Sequence, residues 1–337
     1  MSATEENLTI LAAVDSFPLA STLFTPTKTP SSTPPPPSIQ INSATGVPRA
    51  FYVSFARYLA TTHSCPVLLY DYRGIGDSLT GSTPEHARAL PLASIQKEWA
   101  TYDQPAITMF LKDRFPDRAV VIVGHSVGAH IAPLNPAKDS VSRYLFVAPN
   151  NAHWRFHPDL KGAISTYLFP AIVAVGTRVG RSPQGLFRAN AIGLCEDIPL
   201  GVARDWSYWT RFREYCTVEP HIKEVYDRFL ADGDNTPNAE EHRTLAIGFT
   251  DDAFCGSREA YDAWLRLMPA AKVPLWYLDP KAELGEFGVE AVAHMGFFRK
   301  AMKEALWEPL VPFLVDGRFG ERVGRGVQGE FRVKAKL

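Results

Sequence analysis

The chain has 337 residues, with 35 Lys and Arg against 36 Asp and Glu and a formal net charge of −1. Its 46% hydrophobic and 21% charged residues are those of a globular protein, which excludes wholesale disorder; its length fits one large domain, or one domain with an insertion. The near-neutral balance leaves no electrostatic footprint for nucleic acid, and four cysteines (Cys65, Cys195, Cys216, Cys255) without a C-x-x-C pair or zinc spacing exclude a disulfide scaffold and point to free thiols in a reducing compartment.

The first residues are acidic, where a secretory leader needs positive charge. Strands are predicted over 8–14 and 19–25, around an Asp15-Ser16 turn. Residues 25–37 hold Pro26, Pro30 and the run Pro34 to Pro37. They read as a surface insertion between strands rather than a ligand for a proline-reading module. A short strand over 38–42 precedes an apolar-periodic helix over 52–61. A strand over 67–70 then stops at Asp71. Ser94 is placed to cap a helix running to Arg114, with Ile95, Trp99 and Tyr102 on one face and a kink at Pro105. The β-branched run over 119–123 has the character of a strand buried in a parallel sheet. Further strands are predicted over 144–147, 245–249 and 274–278, and an amphipathic helix over 297–307 closes the pattern. This alternation implies an α/β fold: a mainly parallel sheet flanked by helices.

The rhythm breaks between 149 and 242. Helical patterns rich in aromatics, among them Trp154, Phe156, Tyr167, Phe169, Phe187, Trp206, Trp209 and Tyr215, replace the strands. A helical cap inserted between two core strands is expected, over the carboxyl ends of the sheet, where open α/β folds bind ligands. Residues 1–149 and 243–315 then form the core, 150–242 the cap, and 316–337 a flexible glycine-containing tail. The most apolar stretch, 163–176, contains Pro170 and falls short of the ~20 residues that span a bilayer, so no membrane span is expected. The terminal Ala335-Lys336-Leu337 resembles the S-K-L type of address read by a peroxisomal import receptor. A plain basic tail on a cytoplasmic protein is the alternative.

Gly124-His125-Ser126-Val127-Gly128 carries the chemistry. It directly follows the strand over 119–123, and a helix can begin behind it, which is the setting of a nucleophile elbow. A serine on so tight a turn needs small neighbours, which Gly124 and Gly128 supply. The Val127 N–H then faces a developing oxyanion, helped by the helix dipole. Serine is a weak nucleophile near neutral pH; it needs a base, and the base needs an orienting carboxylate. In such elbows the acid and then the histidine follow the serine. Asp251-Asp252 lie beyond the strand over 245–249, and His294 beyond the strand over 274–278, both at carboxyl ends. His294 is therefore the base. Asp252 is preferred as its partner, because Ala253-Phe254-Cys255 can return the chain to the core while Asp251 caps the turn; the reverse assignment stays open. The second oxyanion amide is expected from Ala44 or, next, Thr45. The segment 71–78 lacks the third glycine of a dinucleotide fingerprint, so no cofactor is implied.

Several blocks resemble the α/β hydrolase superfamily, in its serine-aminopeptidase-like and lysophospholipase-like branch. They are Ala44-Thr45-Gly46-Val47-Pro48 with Phe51-Tyr52, residues 70–78, Gly124 to Gly128, Asp251-Asp252, and His294 through Phe298-Arg299. Glu196-Asp197-Ile198-Pro199 through Trp206 and Trp209 is similar to the branch's cap. The resemblance covers roughly residues 8–312. It implies the α/β-hydrolase fold and a Ser126–Asp252–His294 triad, and says little about substrate. Two features depart from it. Asn42-Ser43 stands where a histidine-glycine pair is usual, and the elbow continues as Gly128-Ala129, with Pro133 and Pro136 shortening or bending the next helix.

Other constellations read as structural. His153 and His157 have the spacing of metal ligands on a helix, but position 154 is Trp and Pro158 follows, so no metal site is expected. His125 reads as a packing residue, Cys255 as a buried thiol, and Glu196-Asp197 as a pair at a helix start rather than an amine site. The expected reaction is hydrolysis of an ester, thioester or lactone of a small to medium apolar substrate through an acyl-enzyme. Acyl transfer or cyclisation, and small-molecule binding without turnover, share the same fold.

Overall fold

The computed structural model describes residues 2–28, 33–79, 81–156, 185–193, 195–231, 241–252 and 256–328. A first hairpin pairs β1 (Ala3–Leu11) with β2 (Pro18–Pro26) antiparallel. The remaining strands are β3 (Ser38–Asn42), β4 (Val67–Tyr70), β5 (Val120–His125), β6 (Val141–Val147), β7 (Thr244–Phe249), β8 (Leu275–Leu278) and the two-residue β9 (Val327–Gln328). They form one sheet in the order β1-β2-β4-β3-β5-β6-β7-β8-β9. All neighbours from β4 to β8 are parallel, and the outer pairs β2–β4 and β8–β9 are antiparallel.

The side-chain alternation of β5 explains its central place. Val120 and Ile122 enter the core on one face of the sheet, and Val121 and Val123 enter the core on the other. The second of these cores is covered by α1 (Val53–His63), through Phe55 and Leu59. The first is covered by α2 (Gln104–Arg114), α3 (Val127–Ile131) and three helices further along the chain: α4 (Leu200–Trp209), α5 (Pro220–Arg228) and α6 (Arg258–Leu265). Helix α7 (Glu308–Asp316) returns to the α1 side with Leu310 and Phe313.

Helices α4 and α5 belong to the long segment between β6 and β7. Asp205 of α4 accepts from the backbone N–H groups of Ile95 and Gln96 at 2.9 and 3.2 Å, which fixes the segment to the start of the helix below it. Trp209, Tyr215 and Tyr226 are buried in the shared core, whereas Tyr208 is exposed. Residues 157–184 and 232–240 lie outside the described residues, so Tyr167, Phe169, His157 and the apolar stretch 163–176 do too; Ala253-Phe254-Cys255 and the terminal 329–337 are likewise outside. Among the described residues no helix is long and apolar enough to cross a membrane.

Four local expectations are corrected. β1 starts at Ala3 rather than 8, because an outer strand tolerates Glu5 and Glu6 on its exposed positions. Ser94 caps its helix as expected, but Pro105 marks a change of winding: the chain is π-helical over Ile95–Asp103 and α-helical from Gln104. No single helix spans 297–307. Trp307 Nε1 donates to the Phe297 carbonyl at 2.6 Å, taking an acceptor that a continuous helix would use, and Arg299 is extended. Two short 3₁₀ turns and a π turn result, and the closing helix is α7. Finally, residues 317–328 are folded. Helix α8 (Glu321–Gly326) buries Val323, and Gly326 packs on the Trp276 indole beside β9.

Candidate active site

Ser126 sits between β5 and α3 with φ 52° and ψ −115°, a conformation that L-residues avoid and that elbows impose on their nucleophile. Both flanking glycines are sterically required. A Cβ on Gly124 would lie 2.6 Å from the Gly128 carbonyl oxygen, and one on Gly128 would strike the backbone carbonyl of Asn42. Gly128→Ala is therefore expected to cost about 3 kcal/mol and to lower Tm by roughly 4 °C or more. A thermal melt reads this directly, and an unchanged Tm would show that the helix can slide away from β3.

The Asn42-Ser43 departure has a structural role. The Asn42 amide turns inward and donates to Gln104 Oε1 at 3.1 Å and to the Gly128 carbonyl at 3.3 Å; its oxygen accepts from Tyr70 Oη and Gln40 Nε2. Every partner is buried, so this network ties β3 to α3 in a low-dielectric interior. Pro133 and Pro136 follow a five-residue α3 that tightens into a 3₁₀ turn.

His294 Nδ1 lies 2.7 Å from Asp252 Oδ2, and Tyr261 Oη donates to the same oxygen at 3.3 Å. Asp252 is almost wholly buried. The two adjacent aspartates are placed differently. Asp251 Oδ2 accepts from the backbone N–H groups of Val292 and Ala293 at 2.8 and 3.0 Å, so it grips the loop just before His294, where Ala293 has φ 50°. Ser126 is half-buried, and its Oγ has no hydrogen-bond partner among the described residues. The rings of His125 and His294 are 5.3 Å apart, so the imidazole lies beside the residue that precedes the serine.

Val127, the expected oxyanion donor, opens α3, and its N–H is one of the donors a helix start leaves without an internal partner. Ala44 is buried, and its N–H donates to Tyr52 Oη at 2.8 Å. The amide of Thr45 has no partner among the described residues, and Thr45 is partly exposed. Sequence reading named Tyr52 only within a block of family resemblance and took His125 for packing; no motif spacing marks either one as part of a hydrogen-bond chain. Glu196 and Asp197 hold loops together. Glu196 Oε2 accepts from Gly76 N, its N–H donates to the Gly46 carbonyl, and Asp197 accepts from Asn190 N. Among the described residues no cluster of His, Cys, Asp and Glu could hold a metal ion. Cys65, Cys195 and Cys216 are free thiols, each pushed up to about 12 by burial.

A parallel sheet whose central strand delivers a strained serine into a helix is the architecture of an α/β hydrolase. The model of the alpha/beta hydrolase family matches residues 41–304, and the chain belongs to that family. No curated protein sequence matches it. Among solved structures it is similar to a soluble variant of monoglyceride lipase from Saccharomyces cerevisiae in complex with a substrate analogue (TM-score 0.61, 11% identity, 93% of this chain and 95% of that one). It is similar to DcsB in complex with its substrate analogue (TM-score 0.57, 12% identity, 92% and 99%). It is also similar to an esterase from Exiguobacterium antarcticum (TM-score 0.54, 14% identity, 92% and 99%). At these identities the likeness is one of fold.

Proposed function

We propose that this protein is a serine hydrolase that cleaves an ester, thioester or lactone of a small to medium apolar substrate through an acyl-enzyme. The observation that carries the reading is the Asp252–His294 hydrogen bond at 2.7 Å, on an imidazole 5.3 Å from the ring of His125, the residue that precedes a serine strained at φ 52°. Asp252 holds Nδ1 of the imidazole, and Nε2 is the nitrogen that takes the proton in this reading. Ser126 Oγ attacks the substrate carbonyl carbon as its proton passes to His294 Nε2. The tetrahedral oxyanion is held by the Val127 amide and a second amide of the 44–45 loop. Because Tyr52 occupies the Ala44 N–H, Thr45 is the second donor in this reading. Collapse expels the alcohol or thiol with the proton from His294, and water, activated by the same base, releases the acid. The missing serine hydrogen bond is compatible with this, since catalytic contacts tighten when substrate binds. In this reading the 150–242 stretch of the sequence is the cap, and its aromatic content suits an apolar acyl or alcohol group. The names of the yeast lipase and the bacterial esterase favour the same class of substrate.

A fluorophosphonate probe tests the reading. One covalent adduct is expected, on the peptide containing Ser126. A folded protein that takes no label, or takes it elsewhere, overturns the assignment.

A further inference from the structure

A buried hydrogen-bond chain runs between the oxyanion loop and the base, and no step of the proposed reaction uses it. Ala44 N donates to Tyr52 Oη at 2.8 Å, Tyr52 Oη lies 2.9 Å from His125 Nδ1, and His125 Nε2 lies 2.9 Å from the His294 carbonyl oxygen. Tyr52 and His125 are both fully buried. The polarity of the chain follows from its ends. A carbonyl can only accept, so His125 Nε2 carries a proton. Burial lowers the His125 pKa to about 3, so the ring is neutral and Nδ1 must accept. Tyr52 therefore donates to His125 and accepts from Ala44; the Ser43 hydroxyl on the same loop also faces the Tyr52 oxygen. Each link has one donor and one acceptor, and reversing any link would set two donors or two acceptors face to face.

We infer that Tyr52 and His125 are positioning residues, a relay that locks the 43–46 loop and the His294 loop to each other across the nucleophile strand. The inference rests on the reading that Ser126 and His294 do the chemistry. The geometry gives the relay work to do. Asp251 grips the backbone N–H groups of Val292 and Ala293, and His125 grips the carbonyl of His294, so the base is held on both sides of the strained Ala293. At the other end, the relay fixes the residue next to the proposed second oxyanion donor. A base and an oxyanion hole set by one network keep their separation even if the loops themselves are compliant.

Tyr52→Phe removes one atom and keeps the ring packed on Phe51 and Phe298, at 5.2 and 4.6 Å between centroids. Its kcat on a p-nitrophenyl ester, and its rate of fluorophosphonate labelling, are expected to fall about 10-fold to 100-fold, with KM within about twofold. The decisive readout is amide hydrogen exchange at the far end of the relay. Tyr52→Phe should speed exchange in residues 292–296, and His125→Asn should speed it in residues 43–46, each by about fivefold or more. The double variant should label no more slowly than the slower single variant. Exchange that changes only next to the substituted residue, or labelling defects that multiply, overturns the relay. Should the wild type take no probe, the hydrolase reading fails, yet the exchange data still decide the relay. Should His125→Asn not fold, Tyr52→Phe alone decides it, through exchange in 292–296.

Discussion

Ser126→Ala and His294→Ala are each expected to lower kcat by about 10⁶-fold, and the double variant to be no worse than either. Groups that act as one unit fail as one unit: without the serine the base has nothing to deprotonate, and without the base the serine stays a neutral hydroxyl. On the proposed mechanism, the neighbouring aspartates separate catalysis from support. Asp252→Asn puts a neutral amide against His294 Nδ1, where the structure has a carboxylate at 2.7 Å. The imidazole then loses both its preferred tautomer and the charge that stabilises the imidazolium, at a cost of about 10⁴ in kcat. Asp251→Asn keeps a carbonyl oxygen that can accept from Val292 and Ala293, so its kcat should stay within about tenfold. Steady-state rates of the purified variants on one activated ester decide the matter. Equal losses at 251 and 252 would abolish the distinction, and a larger loss at 251 would reverse the roles of the two aspartates.

The parts of this arrangement that were legible in the sequence are local in the chain. The parallel core could be read because β5 and β7 are continuous apolar runs, and the elbow because two glycines at fixed spacing follow one of them directly. His294 and Asp252, both expected beyond strand ends, are hydrogen-bonded there. The relay was invisible for the opposite reason. Tyr52 and His125 are 73 residues apart and His125 and His294 are 169 apart, and a tyrosine on a helix carries no sign of which backbone amide its hydroxyl will meet. Asn42 looked like a loss of the usual loop pair, whereas its side chain crosses to Gly128 of α3. The periodicity of 297–307 was genuine: Phe297, Phe298, Met302, Ala305, Leu306 and Trp307 are all buried. A side chain competing for a carbonyl changed how that burial was achieved, and no periodicity reports such competition. Glycines at 317–326 suggested mobility, yet Gly326 serves close approach to an indole instead.

His130→Leu is expected to make the protein markedly less sensitive to acid. His130 lies one helical turn beyond Ser126, its ring buried against Tyr215 and Trp264 and its own backbone carbonyl accepting from Tyr226 Oη. Neither ring nitrogen has a hydrogen bond of normal geometry, although the Asn150 backbone lies toward the ring. Desolvation lowers its pKa to about 3, against an ordinary value of 6.5, so the ring is neutral in the folded protein. The sign follows. Between these two values the unfolded chain binds a proton that the native state refuses, so the stability is complete above pH 6.5 and is lost as the pH falls toward 3. For one such group, the loss from pH 7 to pH 5 is about 2 kcal/mol, a sizeable part of a net stability of roughly 5–15 kcal/mol. His125 adds a similar term, and Asp103, pushed the other way to about 6 by burial, offsets part of it. The absolute slope therefore mixes several groups, but these cancel when wild type and His130→Leu are compared. Urea unfolding at pH 7 and pH 5 should show the variant losing about 2 kcal/mol less than the wild type over that interval. It should also lose no stability at pH 7 beyond what the change of side-chain shape costs, because no hydrogen bond of normal geometry is given up. Identical losses for the two proteins would mean that His130 is protonated or well paired in the native state, and that the seam between α3 and the β6–β7 segment is more polar than its residues indicate.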